Sequence, residues 1–149
     1  MTESLSYDLH KLTARLDRAA DRILREREGI SYSRFLTLFA VKNGAANQRA
    51  LAAWLGQSEP STSRMVGLLT AQGLLDARQI PGTGNSRHLG LTSAGAELVD
   101  RGGRLLEARF EELLERSGVS RSSYQRQTRR LLDQLDAEAQ TRPGFSDAA

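Results

Sequence analysis

The chain has 149 residues and a formal charge of +3, the size of one domain with a moderate core. It contains no cysteine, which excludes disulfides, thiol redox switching and thiolate metal sites. Two histidines, His10 and His88, are too few for a zinc constellation, so no metal or other cofactor is expected. No apolar run approaches ~18 residues, so neither a signal peptide nor a membrane span is expected and the chain reads as cytoplasmic. Lysine stands only at positions 11 and 42. The arginine excess suits bidentate phosphate and guanine contacts, and equally the base composition of a source genome. Scarce aromatics argue against a single-strand stacking platform.

Taken in order, Leu5, Leu9, Leu12, Leu16, Ala19 and Ile23 recur at 4-3-4-3-4 spacing and predict a long first helix with a coiled-coil-like seam, stopped by Gly29. Ser31 or Ser33 caps a second helix with a buried stripe of Phe35, Leu36, Leu38 and Phe39, broken at Asn43-Gly44. Leu51, Trp54 and Leu55 mark a third, stopped by Gly56. Ser58 then caps a helix over 58–72, with Pro60 tolerated in its first turn and Met65, Val66, Leu68 and Leu69 as its buried face. Asp76–Ile80 and Arg87–Leu91 read as strands joined by the turn Pro81-Gly82-Thr83-Gly84-Asn85. Leu89 and Leu91 alternate with His88 and Gly90, giving one packed and one wet face. Thr92 caps a long helix to about Arg116, with Gly102-Gly103 inside it at a cost of about 1 kcal/mol per glycine. A close helix crossing or a bend would justify that pair; poor local order is the plainer expectation. Ser117-Gly118 interrupts, Ser120 recaps, and Tyr124, Thr128, Leu131, Leu135 and Ala139 continue an apolar seam. The stretch from Thr141 to Ala149 has no pattern and is expected to fray.

The stretch 48–92 organises the rest. Ser61, Thr62, Ser63 and Arg64 crowd the start of the fourth helix. Short polar side chains let a helix sink into a major groove, and its free N–H groups and positive dipole end suit phosphates. This is a helix-turn-helix layout with 58–72 as the reading helix. The same pattern also fits an amphipathic helix pair whose serines are merely solvated. A hairpin placed directly after a reading helix forms a wing able to carry Arg87 to an adjacent minor groove. The outer helices carry more apolar seam than so small a core needs, which a partner chain would bury; the alternative is that the seams pack only within the monomer.

The combination Leu55-Gly56-Gln57-Ser58, Ser63-Arg64, Gly73-Leu74 and Leu91-Thr92-Ser93-Ala94-Gly95 resembles the multiple-antibiotic-resistance regulator (MarR) family. The resemblance implies a mainly α fold with a small β-hairpin wing, a winged helix-turn-helix over 31–92. It also implies a dimerisation lobe of helices at 4–28 and 93–140, all within one domain spanning 1–149. One departure stands out. The family's wing usually carries Asp-x-Arg; here a gapless reading offers Thr83-Gly84-Asn85, and a two-residue shift offers Asn85-Ser86-Arg87. Both lack the aspartate that often partners the recognition-helix arginine.

The resemblance implies a homodimeric, sequence-specific regulator of double-stranded DNA, a ligand-responsive repressor on a pseudo-palindromic operator. Ser58, Ser61, Thr62, Ser63 and Arg64 are then the reading contacts, with Arg78 and Arg87 on the wing. Family members often hold small anionic aromatic effectors between the dimer helices and the DNA-binding lobe. Tyr7, His10, Arg15, Tyr32 and Phe35 could line such a cleft, though each fits ordinary packing or surface as well. Catalysis is not expected: there is no G-x-S-x-G or Walker motif, and Gly82-Thr83-Gly84 belongs to a turn. His88 lacks a local orienting carboxylate and is expected on the wing's outer face. The alternative from another class is a winged-helix module that binds protein and not DNA.

Overall fold

A computed structural model describes residues 4–79, 81, 82, 84 and 87–141. Its elements run α1 (Leu5–Glu28), α2 (Tyr32–Lys42), α3 (Gln48–Leu55), α4 (Glu59–Ala71), β1 (Leu75–Gln79), β2 (Arg87–Leu91), α5 (Ser93–Ser117) and α6 (Arg121–Thr141). The chain divides into two compact units, residues 1–106 and 107–149, with the division inside α5. Ile80, Thr83, Asn85, Ser86 and the last eight residues, together with the wing-register and tail expectations that involve them, lie outside the described residues.

Local chemistry explains most boundaries. Ser31, Asn47 and Ser58 each cap the helix that follows by accepting a backbone N–H, from Arg34, Ala50 and Ser61 respectively. Gly29 and Gly56 close α1 and α3 in the left-handed region, at φ 66° and 64°, where a side chain would be strained. Thr92 caps α5 by accepting the Gly95 N–H at 3.1 Å.

The first unit is built on one core of Leu24, Ile30, Phe35, Leu38, Leu51, Val66, Leu69, Leu75, Leu89, Leu98 and Val99. The hairpin pairs antiparallel with Leu75 opposite Leu91 and Ala77 opposite Leu89, so its packed face joins this core. The Leu89 N–H also donates to the Ala46 carbonyl at 2.7 Å, tying the wing to the loop before α3. Three expected core residues are corrected. Phe39, Trp54 and Leu68 are exposed, because tertiary packing turns the opposite sides of α2, α3 and α4 inward. Phe39 instead stacks over Phe35 and meets Trp54, with ring centroids 6.0 and 6.3 Å away.

Gly102 answers the question raised by the glycine pair. A Cβ built on it would lie 2.8 Å from the Phe35 ring and 3.1 Å from Leu24, so α5 crosses there too closely for any side chain. Poor local order is therefore the wrong account of Gly102. Gly103 has open space around its absent Cβ, and nothing in the structure requires it.

In the second unit, the last turns of α5 and the whole of α6 form a helical hairpin. Gly118 turns the chain at φ 69°, and Ser120 recaps by accepting the Ser123 N–H. Arg121 bridges Glu107 at 2.7 Å and also pairs with Glu111. No residue of α6 is buried.

Candidate nucleic-acid interface

Which side of α4 faces out is decided by its packing. Val66 and Leu69 enter the core, and Thr62 lies four and seven residues before them on the same side. Thr62 is accordingly fully buried, its hydroxyl donating to the Ser58 carbonyl at 2.9 Å. The expectation of Thr62 as a contact is corrected: it is a packing residue whose polar atom is satisfied inside the helix. Ser58, Ser61, Ser63 and Arg64 are exposed. The Ser58 hydroxyl is engaged, accepting the Ser61 N–H at 3.3 Å and donating to the Ser61 hydroxyl at 3.0 Å. Ser63 and Arg64 carry no hydrogen bond or ion pair from their side chains to other described residues, and so are the open polar groups of this face.

The helix end itself is a weaker anion site than the sequence suggests. Pro60 has no N–H, the Ser61 N–H is capped, and the Glu59 carboxylate sits in the first turn. Positive charge on this face therefore comes from Arg64 and not from free backbone groups. Sequence reading also passed over Gly67. It is exposed, with nothing near its absent Cβ, and stands three residues after Arg64. A glycine there costs the helix about 1 kcal/mol and keeps its outer side flat; that mid-helix cost was the available signal.

On the wing, Arg78 stands opposite His88 and Arg87 opposite Gln79. All four are exposed, and His88 lies on the outer face as expected. Arg78 is not a free cation, since its Nε donates to Asp76 Oδ2 at 2.8 Å. A phosphate binding there has to compete with that carboxylate, while Arg87 has no ion-pair partner among the described residues.

The exit of α4 is locked to α5. The Thr92 hydroxyl donates to the Gly73 carbonyl at 2.6 Å, and the Thr92 N–H donates to the Leu74 carbonyl at 3.2 Å. A Cβ on Gly95 would lie 2.1 Å from that same Leu74 oxygen. The Leu-Thr-x-x-Gly run is thus a steric fit between the start of α5 and the end of α4.

Comparison with known proteins agrees with this arrangement. Residues 28–84 match the sequence model of the MarR family. That stretch of the chain is thus similar to the MarR-family winged helix. Solved structures with the same fold include wild-type MarR from E. coli in its apo form, at 18% identity and TM-score 0.73, covering 91% of this chain and 98% of that one. A MarR-family transcriptional regulator from Rhodococcus sp. RHA1 superposes at 21% identity and TM-score 0.75, over 90% and 96% of the two chains. An S. aureus MepR–DNA complex does so at 20% identity and TM-score 0.71, over 91% and 98%. No curated protein sequence matches the chain.

The residues named for a MarR-type effector cleft are not brought together within the chain. Phe35 is 3% exposed and fills the core beside Gly102, so it is corrected to a packing residue. Tyr32 is half-buried where α2 meets α1, its N–H donating to Asp21 Oδ1 at 2.9 Å. Tyr7 and His10 are exposed on α1, 14 and 11 residues before Asp21, or about 21 and 16 Å along the helix. Arg15 is also exposed. Asp21 itself was missed: it supplies the first N–H of α2 with an acceptor and binds Arg25 Nε at 2.8 Å. Those two bonds hold its carboxyl below the usual range, the Tyr32 N–H contributing most. Among the described residues no group of acidic residues and histidines is placed to hold a metal, and no helix is long and apolar enough to cross a membrane.

Proposed function

We propose that the protein is a homodimeric, sequence-specific double-stranded DNA-binding transcriptional regulator that acts as a repressor and catalyses no reaction. The observation that carries this reading is the outward side of α4, where Ser61, Ser63, Arg64 and Gly67 are exposed beside Leu68 and Arg64 has no ion-pair partner among the described residues. Arg87 and Arg78 on the adjoining wing supply phosphate or minor-groove contacts. Ser58 serves as the cap that holds the first turn and not as a base contact. Two reading helices related by a two-fold axis call for a pseudo-palindromic site with half-sites about one helical turn apart.

Repression that responds to a small aromatic or anionic effector belongs to the same reading. Such a compound changes DNA binding only by favouring one spacing of the two reading helices over another. Tyr32 and Arg15 are the residues left to such a site.

The test is a gel shift on the DNA flanking the protein's own gene, with wild type and Arg64→Ala at 50–200 mM salt. Loss of about 1–3 kcal/mol at one base position marks Arg64 as a base contact, and a salt slope reduced by about one marks it as a phosphate contact. Affinity and slope both unchanged would favour the protein-binding alternative.

A further inference from the structure

Glu59 opens α4, exposed and directly after the Ser58 cap. It cannot complete a capping box, which needs its acidic or amide side chain two residues further on, where Ser61 stands. Thr62 and Ser63, three and four residues along, are not cationic, so the carboxylate has no partner on its own helix. No ion pair reaches it from any other described residue. Arg64, five residues on, lies about 140° round the helix and is not its neighbour. The positive end of the helix dipole favours an anion at this position, and that is the one structural use the carboxylate has.

Glu59 and Ser63 stand on one row of α4, one turn apart, and Pro60 and Arg64 stand on the next. A helix that enters a major groove leading end first brings such rows to the base edges, between two lines of phosphates. There a carboxylate is repelled by every phosphate and gains only from a hydrogen-bond donor. The backbone does not offset that repulsion, since Pro60 has no N–H and the Ser61 N–H is already capped. The groove offers two donors, cytosine N4 and adenine N6. Adenine N6 lies between two acceptors, its own N7 and the thymine O4, whereas cytosine N4 has an acceptor on one side alone. Guanine and thymine present acceptors only. We propose that Glu59 is a base-reading residue, whose carboxylate accepts from cytosine N4 and selects cytosine at one position of each half-site. This rests on the DNA-binding reading above and gives it a base preference that Arg64, a donor suited to guanine, does not supply. The same charge lowers affinity for sequences without that donor, so Glu59 acts by exclusion as well as by contact.

Selection by the full chain from a pool of duplexes with a randomised centre tests the assignment, and titration on the selected duplex measures it. The wild type retrieves sites with a fixed cytosine in each half-site, favoured over thymine there by roughly 5–150-fold. Glu59→Ala loses that preference and keeps the others. Glu59→Gln, of the same length, turns it to adenine, because an amide donates to N7 while it accepts from N6. Both variants bind unselected duplex more tightly than the wild type, one like charge having gone. A wild type that selects no sequence removes the DNA-binding reading and this assignment together. Base preferences that are the same in all three proteins overturn the assignment alone. So does a variant that binds every duplex more weakly by one common factor, which would mark Glu59 as a support of the helix end; thermal melts of each variant read that loss directly.

Discussion

The winged-helix portion and α6 make opposite use of their leucines. Leu38, Leu51 and Leu69 are wholly buried against one another's elements, while no residue of α6 is buried at all. Both regions are amphipathic helices to a reader of the sequence. The difference is that α2, α3 and α4 bury their leucines against one another, whereas Leu131, Leu132 and Leu135 of α6 stay exposed beside the α5 hairpin partner. Stability of the first should be independent of protein concentration; stability conferred by the second should follow it.

The largest expected effect breaks that comparison most directly. Leu131→Ser with Leu135→Ser removes four exposed leucines from each proposed pair of chains. At about 1 kcal/mol for each, association falls by about 4 kcal/mol, roughly a thousandfold. Melting at high dilution should be unchanged. Equal loss of melting temperature at all concentrations would mean that these leucines serve the single chain.

Next comes Gly95→Ala, in the well-covered region. Its new methyl group meets a backbone oxygen and not a movable side chain, so either α5 or the end of α4 has to shift. Overpacking of this kind costs about 3 kcal/mol. Urea unfolding should show that loss at every protein concentration, with weaker DNA binding because the reading helix is displaced. Full stability in the variant would dismiss the steric fit.

The neighbouring glycines of α5 should then move in opposite directions. Gly102→Ala presses on the Phe35 ring, and the strain should exceed what alanine adds to helix stability, for a net loss of about 1 kcal/mol. Gly103→Ala meets nothing, and should gain about 0.5–1 kcal/mol. Thermal melts of the two single variants, compared at one concentration, read the sign of each.

How legible these features were in the sequence depends on how far apart the participants are. Ser31, Ser58 and Thr92 act within three residues of themselves, and their caps follow from residue type alone. Thr62 was legible but misread: its spacing from Val66 and Leu69 is that of the buried side, and its small polar neighbours obscured this. The notch at Gly102 joins Leu24, Phe35 and a glycine 67 residues beyond that ring, so local pattern cannot reveal it. The same holds for the Asp21–Tyr32 contact. Phe39 and Trp54 look like core by type, and only the packing of α2 on α3 shows that they cover each other at the surface. For the start of α4, the motif indicated the residues, and the structure sorted them into capping, packing and open groups.

The smallest effect concerns the joint between α1 and α2, where coverage within the chain is only partial. Burial raises the Tyr32 phenol above the ordinary value of 10.0, and the charge and hydrogen bond of Asp17 raise it further. A raised folded-state value means the fold favours the protonated phenol. The associated stability is present in full below about pH 10 and is lost as pH rises through the folded value. Asp17→Asn removes the charge but leaves the burial, so the phenol should fall part of the way back and keep some elevation. Tyrosinate absorbance, followed in a Tyr7→Phe, Tyr124→Phe background, isolates Tyr32. Titration at the ordinary value before any change to Asp17 would mean that this joint opens in solution, and that the end of α1 is not held on the winged helix as tightly as the core below it.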